Sequence, residues 1–289
     1  MRIIDIISDN KVHISFEVFP PKTDAGVESV WRTTGALSMM DPAFISVTYG
    51  AGGGTSKNTV KLASHIQNAL GIPSIAHLTC VSSTKEQVEG MLKEIQAEGI
   101  QNIMALRGDI PEKAEFPVPD QYHYAYELIQ QIKNTGDFCI GAACYPEGHP
   151  ESKSKAEDLQ HLKEKVDCGV DFMTTQMFFD NEVFYDFLGN VRAKGMNIPV
   201  LPGIMPITNG KQISRIGVLS GAALPPRFRR MCEKYGDNDA AMMQAGIAFA
   251  TEQIIDLVAS GVKNIHVYTM NKPEIAAAIL ANISEIIKE

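Results

Sequence analysis

Seven consecutive residues, Ala105-Leu106-Arg107-Gly108-Asp109-Ile110-Pro111, bring a cation, bare backbone amides and a carboxylate to the end of one apolar run. Residues 101–106 read as a short buried strand, Gly108 permits a turn closed to other residues, and Pro111 ends the pairing. In parallel α/β folds the C-terminal edge of the strands is where ligands bind. A loop whose charges merely keep it wet explains one such strand equally well, so the rest of the chain has to decide. A second candidate is Glu17. In residues 12–19 Val12, Ile14, Phe16 and Val18 form one phase, and His13, Ser15 and Glu17 form the other. If such strands close into a barrel, the second phase faces the lumen. Burial there without a cation raises a carboxyl pKa and gives an acid usable near neutral pH. The plainer reading is a structural salt bridge across the lumen.

Other polar residues are weaker signals. His77 lies inside an apolar strand, where a histidine is more often a hydrogen-bonded core residue than a ligand. His149 follows Tyr145-Pro146-Glu147-Gly148 on a loop at the ligand edge. Asp158 and Lys165 are two turns apart on one helix face. They form either a solvated face or a grip on a ribose and a pyrophosphate. Gln176 ends a mostly apolar strand, so its amide needs a partner, and a ligand is one candidate. The glycine-rich residues 50–55 match neither a Walker loop nor a dinucleotide fingerprint, because Lys57 follows Ser56 and Thr55 stands where a glycine is required.

The elements that must position these groups alternate along the chain. Strands are predicted at 12–19, 44–49, 74–80, 101–106, 138–144, 170–176, 199–204 and 264–269. Helices are predicted at 27–40, 56–70, 84–98, 120–135, 154–168, 181–195, 211–220, 239–260 and 273–288. Thr84 with Gln87 forms a capping box. Eight such alternations with short connections call for parallel strands and crossover helices, and the length suits a single-domain (β/α)8 TIM barrel over residues 1–289. An open doubly wound sheet is the competing architecture.

The chain has 289 residues, 45% hydrophobic and 21% charged, with a net charge of −8. That balance argues against a nucleic-acid surface. No apolar run reaches membrane-spanning length, and residues 1–10 are too short and acidic for a signal peptide. The five cysteines are too few and scattered for a disulfide framework, and Cys139 and Cys144 fall on opposite faces of one strand. The histidines show no metal-ligand spacing. These features read as a cytoplasmic protein with free thiols and no structural metal.

Several segments together carry a family resemblance. Residues 15–22 read Ser-Phe-Glu-Val-Phe-Pro-Pro-Lys, 46–51 Ser-Val-Thr-Tyr-Gly-Ala, 77–80 His-Leu-Thr-Cys and 105–109 Ala-Leu-Arg-Gly-Asp. Residues 143–150 read Ala-Cys-Tyr-Pro-Glu-Gly-His-Pro, 176–180 Gln-Met-Phe-Phe-Asp, 202–206 Pro-Gly-Ile-Met-Pro and 268–271 Tyr-Thr-Met-Asn. In this order, from about residue 12 to the end, the chain resembles the bacterial 5,10-methylenetetrahydrofolate reductases, catalytic barrel only.

The resemblance implies an eight-stranded barrel with non-covalent FAD at its C-terminal edge and a homo-oligomer. It implies that NADH or NADPH reduces the flavin, which then reduces methylenetetrahydrofolate to 5-methyltetrahydrofolate in a ping-pong sequence. Carried over by position, Glu17 is the general acid and Asp109 lies between flavin and pterin. Thr48, Tyr49, Ala51, His77, Leu106, Arg107, Gly108 and Asp109 hold FAD from the first four strands. Ala125, Tyr145, His149, Asp158, His161 and Lys165 hold it from the next two units. Gln176, Gln212, Ile216, Tyr268 and Lys272, with Asp109, contact the second ligand. Ile216 stands where relatives can carry a stacking phenylalanine, and Lys272 where an arginine would grip a carboxylate as a planar fork. Glu164 and His161 stand where a basic residue and an asparagine are found. The rival reading is a non-redox pterin-binding barrel, a lyase or methyltransferase-type module without flavin.

Overall fold

The computed structural model describes residues 1–21, 26–49, 56–81, 83–110, 116–213 and 223–288. A short helix α1 (Ile3–Ile7) precedes the first strand. Then follow β1 (His13–Val18), α2 (Val27–Ser38), β2 (Ile45–Val47), α3 (Ser56–Ser64), β3 (Ser74–Thr79) and α4 (Lys85–Ala97). Next come β4 (Asn102–Leu106), α5 (Ala125–Thr135), β5 (Cys139–Cys144), α6 (Lys155–Asp167), β6 (Phe172–Thr175) and α7 (Asn181–Ala193). The last part holds β7 (Val200–Leu201), β8 (Gly203–Ile204), α8 (Pro226–Tyr235), α9 (Asp239–Ala259), β9 (Asn264–Tyr268) and α10 (Pro273–Ile283).

Every ladder is parallel, and the strand order is β7-β6-β5-β4-β3-β2-β1-β9-β8. The two ends of that order are neighbours in the chain, separated by Pro202 alone. Proline has no N–H to donate, so the seventh strand is cut in two, with β7 pairing to β6 and β8 to β9. The nine strands are thus the eight of a nearly closed barrel. The capping box at Thr84 and Gln87 opens α4, and Ser154, Asp180 and Asn238 cap α6, α7 and α9 with their side chains.

Alternation along the strands makes two cores. Ile14, Phe16, Val18, Ile103, Ile140 and Cys144 pack outward against the helices. Phe44, Ile75, Met104, Cys139, Phe172 and Leu201 fill the lower lumen. Cys139 and Cys144 lie in different cores, as their spacing demands. Gly141 has no room for a side chain, since a Cβ there would lie 2.6 Å from Phe172 and 2.9 Å from Met104. Helix α1 plugs the N-terminal mouth with Ile3 and Ile7. Asn102, fully buried at the base of β4, fastens this plug. Its Oδ1 accepts from the Ile3 N–H at 2.8 Å, and its Nδ2 donates to the Met1 and Ser74 carbonyls at 3.1 and 3.0 Å.

Sequence reading missed α1 and α8. Helix α1 has five residues, too few for a helical period to be told from a short apolar run. Helix α8 starts at Pro226, which reads as a breaker but is well suited to the first helical position, where its missing N–H is unneeded. The helix predicted at 120–135 begins at Ala125, and of the one predicted at 211–220 a helical turn is seen to residue 213, the rest lying outside the described residues. Among the described residues, no helix is long and apolar enough to cross a membrane.

Asn102→Ala should lower stability by about 2–4 kcal/mol, because it orphans one buried N–H and two carbonyls at once. A urea denaturation curve within about 1 kcal/mol of wild type would show that the plug does not depend on this amide.

Candidate functional site

Above the apolar layer the lumen turns polar. The parallel register sets Glu17 opposite Ser46 on β2 and opposite Tyr268 on β9, and sets Ser15 opposite His266. The Glu17 side chain is 13% exposed, and its Oε2 lies 3.7 Å from His77 Nε2 and 3.6 Å from His266 Nε2. Ser46 Oγ donates to the same oxygen at 3.5 Å and lies 3.3 Å from His266 Nε2. Ser15 Oγ donates to the Ile265 carbonyl at 3.1 Å and meets His266 Nδ1 at 2.8 Å. Ser15 thus holds the ring through Nδ1 and leaves Nε2 directed at Glu17.

This overturns the expectation of an acid raised by an apolar lumen with no cation. Burial does push the Glu17 carboxyl up and is the largest single effect. The hydrogen bond with His266, the charges of His77 and His266 and the Ser46 hydroxyl together outweigh it, and the group is held below the usual carboxylate range. His266 was absent from the sequence-derived site. The signal was there, because Asn264-Ile265-His266-Val267-Tyr268 alternates as β1 does and so turns His266 and Tyr268 inward. His77 is buried, its pKa is pulled down to about 4 chiefly by loss of water, and its Nε2 has no hydrogen-bond partner among the described residues.

On the rim, Arg107 follows β4 and forms a bidentate pair with Glu151, 2.5 and 2.6 Å long, while its Nε donates to the Gly108 carbonyl at 3.3 Å. Gly108 adopts φ 87°, the left-handed region that its sequence position called for. Asp109 is exposed beside them and its charge helps hold the Tyr145 phenol up, though burial is the main cause. Tyr145 and His149 meet edge to face with centroids 4.7 Å apart. Lys165 is part-buried and reaches from α6 to the Ala143 carbonyl at 2.6 Å. Burial lowers its pKa, and no carboxylate stands within ion-pair distance of it among the described residues. Asp158, on the same helix, accepts from Ser152 Oγ at 3.3 Å. Thr48 Oγ1 is buried without a partner among the described residues.

Across the mouth, Gln176 Oε1 accepts from the Met177 N–H at 3.0 Å. Part of the partner that its amide needed is therefore its own backbone. Gln212 Oε1 likewise accepts from Thr208 and Asn209 at 2.9 and 3.3 Å. Both carbonyl ends are thus fixed, and the Nε2 donors are turned away from them. Lys272 Nζ lies 3.5 Å from Thr208 Oγ1, and the Tyr268 hydroxyl donates to the Thr175 carbonyl.

Not every residue assigned from sequence joins this set. The Tyr49 hydroxyl turns to Ser83 at 3.0 Å, and Leu106 packs against the lumen cluster. Ala125 is half-buried at the start of α5, and His161 and Glu164 are exposed on α6. Ala51 and Ile216 lie outside the described residues.

His77 makes stability pH-dependent with a definite sign. The unfolded ring takes a proton near the ordinary imidazole value of 6.5, the folded one only at about 4. The unfolded state therefore takes up a proton that the folded state refuses as pH falls through that window, and stability drops by on the order of 3 kcal/mol across it. The lowered Glu17 carboxyl adds a loss of the same sign at still lower pH. His77→Gln should flatten the denaturation midpoint between pH 6.5 and 4; a slope unchanged from wild type would remove His77 as its source.

A family model described as methylenetetrahydrofolate reductase matches residues 2–284. The 5,10-methylenetetrahydrofolate reductase of Escherichia coli is 34% identical over 93% of this chain and 90% of its own length. That of Pectobacterium carotovorum is 36% identical over 93% and 89%. Methylenetetrahydrofolate reductase (NADH) 1 of Arabidopsis thaliana is 36% identical over 99% of this chain, which spans about half, 51%, of that relative's length. Among solved structures, an uncharacterised Clostridium thermocellum protein that binds two copies of 5-methyl-5,6,7,8-tetrahydrofolic acid superimposes with a TM-score of 0.68 at 16% identity, covering 98% of each chain. A 2,3-dimethylmalate lyase superimposes at 0.53 with 11% identity over 99% of this chain and 84% of its own. At such identities these two speak for the barrel alone. The match over nearly the whole chain, together with close sequence relatives, establishes that this chain belongs to the methylenetetrahydrofolate reductase family.

Proposed function

We propose that this chain reduces 5,10-methylenetetrahydrofolate to 5-methyltetrahydrofolate with NADH or NADPH, using non-covalent FAD. The observation that carries the cofactor is a set of unmet polar groups at the C-terminal mouth. Among the described residues, Thr48 Oγ1 and His77 Nε2 are buried without hydrogen-bond partners, and the Lys165 amine meets a backbone carbonyl alone. Orphaned polar atoms in a native fold call for a ligand. A part-buried ammonium without a carboxylate suits an anionic one, such as a diphosphate.

In this reading Thr48, Tyr49, Ala51, His77, Leu106, Arg107 and Gly108 hold FAD with Ala125, Tyr145, His149, Asp158, His161 and Lys165. When bound, FAD supplies hydride transfer between the nicotinamide and the folate methylene carbon. Gln176, Gln212, Ile216, Tyr268 and Lys272 meet the second ligand, with the two glutamines offering N–H donors. Asp109 places a negative charge at the rim, where it favours a cationic folate intermediate. Opening the imidazolidine ring needs a proton at the departing nitrogen, and in this reading Glu17 is the general acid that delivers it. The carboxylate lies 3.6 Å from His266 Nε2, whose ring is anchored through Nδ1 to Ser15. Free thiols at all five cysteines are in keeping with a reducing, cytoplasmic setting.

Reconstitution tests the reading first: wild type incubated with FAD should take up yellow flavin absorbance, and a chain that stays colourless favours a non-redox barrel. Lys165→Ala should weaken FAD binding roughly ten- to a hundredfold, from the ~1.5–3 kcal/mol of a charge-assisted bond. An unchanged dissociation constant would remove Lys165 from the cofactor site.

Glu17→Gln separates the half-reactions. The amide keeps size and polarity but delivers no carboxyl proton, so folate reduction should fall by ~10²–10⁴-fold. Flavin reduction by NAD(P)H, which needs no such acid, should change far less. Stopped-flow absorbance of each half-reaction reads this, and equal losses in both would make Glu17 a shaping residue only.

A further inference from the structure

Glu151 belongs to none of the roles described so far, yet it joins four residues placed around the cofactor. Its carboxylate takes both terminal nitrogens of Arg107, at 2.5 and 2.6 Å. Its backbone N–H donates to His149 Nδ1 at 3.2 Å. That bond leaves the neutral His149 ring with its hydrogen on Nε2, and burial followed by the Arg107 charge lowers the ring's pKa and keeps it neutral. His149 in turn sets the edge-to-face contact with Tyr145. The next residue, Ser152, donates its hydroxyl to Asp158 at 3.3 Å and its backbone N–H to the His149 carbonyl at 3.0 Å. One short segment after β5 thus ties Arg107 from the β4 edge to His149, Tyr145 and Asp158.

The pair is asymmetric. The Glu151 side chain is 58% exposed and that of Arg107 only 19%, so the carboxylate approaches the guanidinium from the solvent side. With Nε donating to the Gly108 carbonyl, three donors of the fork are committed within the protein, and the plane of the guanidinium is fixed. An arginine left free would lose rotamer entropy on meeting a ligand; one already clamped does not.

We propose that Glu151 is a positioning residue of the cofactor cleft, holding the Arg107 fork and the His149 Nε2 donor in the orientations that receive FAD. This rests on the FAD reading above. A carboxylate that merely occupied the place of the diphosphate would be displaced on binding, and its removal would tighten the complex; the two roles predict opposite signs.

The test is FAD affinity, read by quenching of flavin fluorescence on the full chain, for Glu151→Ala, Arg107→Ala and the double variant. Glu151→Ala should weaken binding roughly three- to tenfold, a modest loss because the pair is half in water. In the Arg107→Ala background most of that loss should vanish, since the residue acts largely through the fork. Glu151→Gln, which keeps an acceptor, should recover part of the affinity. Melting temperatures of the Glu151 variants should match that of their own background, as that side chain is exposed. Equal losses in both backgrounds, no loss, or tighter binding in Glu151→Ala each overturn the proposal. Failure of wild type itself to bind FAD overturns the cofactor reading, and this one with it, and is told apart because it appears before any substitution.

Discussion

A carboxylate inside a β-barrel must be neutralised or solvated, and Glu17 is inside one. Its burial alone would cost several kcal/mol if left uncompensated. Compensation comes from three strands at once: His77 from β3, Ser46 from β2 and His266 from β9. None of these is adjacent in sequence, and only the parallel register of a nearly closed sheet brings them together. His266 is itself held by Ser15 on the same strand as Glu17, so the polar cluster is closed on β1 at both ends. The barrel's geometry and the carboxylate's charge state are therefore one constraint.

The lumen is graded to satisfy it. Its lower half is sealed by Ile3 and Ile7 of α1 and filled by Phe44, Phe172 and their neighbours, which excludes water from below. The boundary falls where the Phe44 and His266 rings stack, with centroids 5.7 Å apart. Above it stand the hydroxyls, imidazoles and carboxylate, and above these the charged rim of Arg107, Asp109 and Lys165. A ligand entering from the C-terminal mouth meets charge first and the buried Glu17 cluster last. That order suits a substrate whose anionic parts stay near solvent while its reacting ring goes deep.

Much of this was legible in the sequence, for identifiable reasons. Period-two alternation in residues 12–19 gave the inward face of β1, and the left-handed turn at Gly108 was readable from the residue alone. The capping box at Thr84 and Gln87 was a local signal with a local cause. What escaped reading was what depended on other strands. The Glu17 environment seemed apolar because β1 and its neighbours in sequence are apolar, whereas its real neighbours are imidazoles more than fifty residues away. His266 could have been found by applying to β9 the phase argument used on β1. The role of Glu151 could not, because a charge on an exposed loop looks like solvation until its partner is known.

The break at Pro202 shows the same logic acting on the backbone. A continuous seventh strand would donate from every residue, but Pro202 donates nothing and Gly203 turns its N–H to the Thr175 hydroxyl at 2.9 Å. The cause lies on β9, in Tyr268. A Cβ on Gly203 would come within 2.4 Å of the Tyr268 hydroxyl and 2.5 Å of the Thr175 carbonyl that this hydroxyl uses. Glycine is therefore required at 203 for the tyrosine to cross the lumen, and the proline before it frees the strand to make room. Burial and the nearby Glu17 charge hold the Tyr268 phenol well above its ordinary range, so it remains a donor and cannot add a second negative charge beside Glu17. The irregularity of one strand thus protects the electrostatic balance of the group that the barrel encloses.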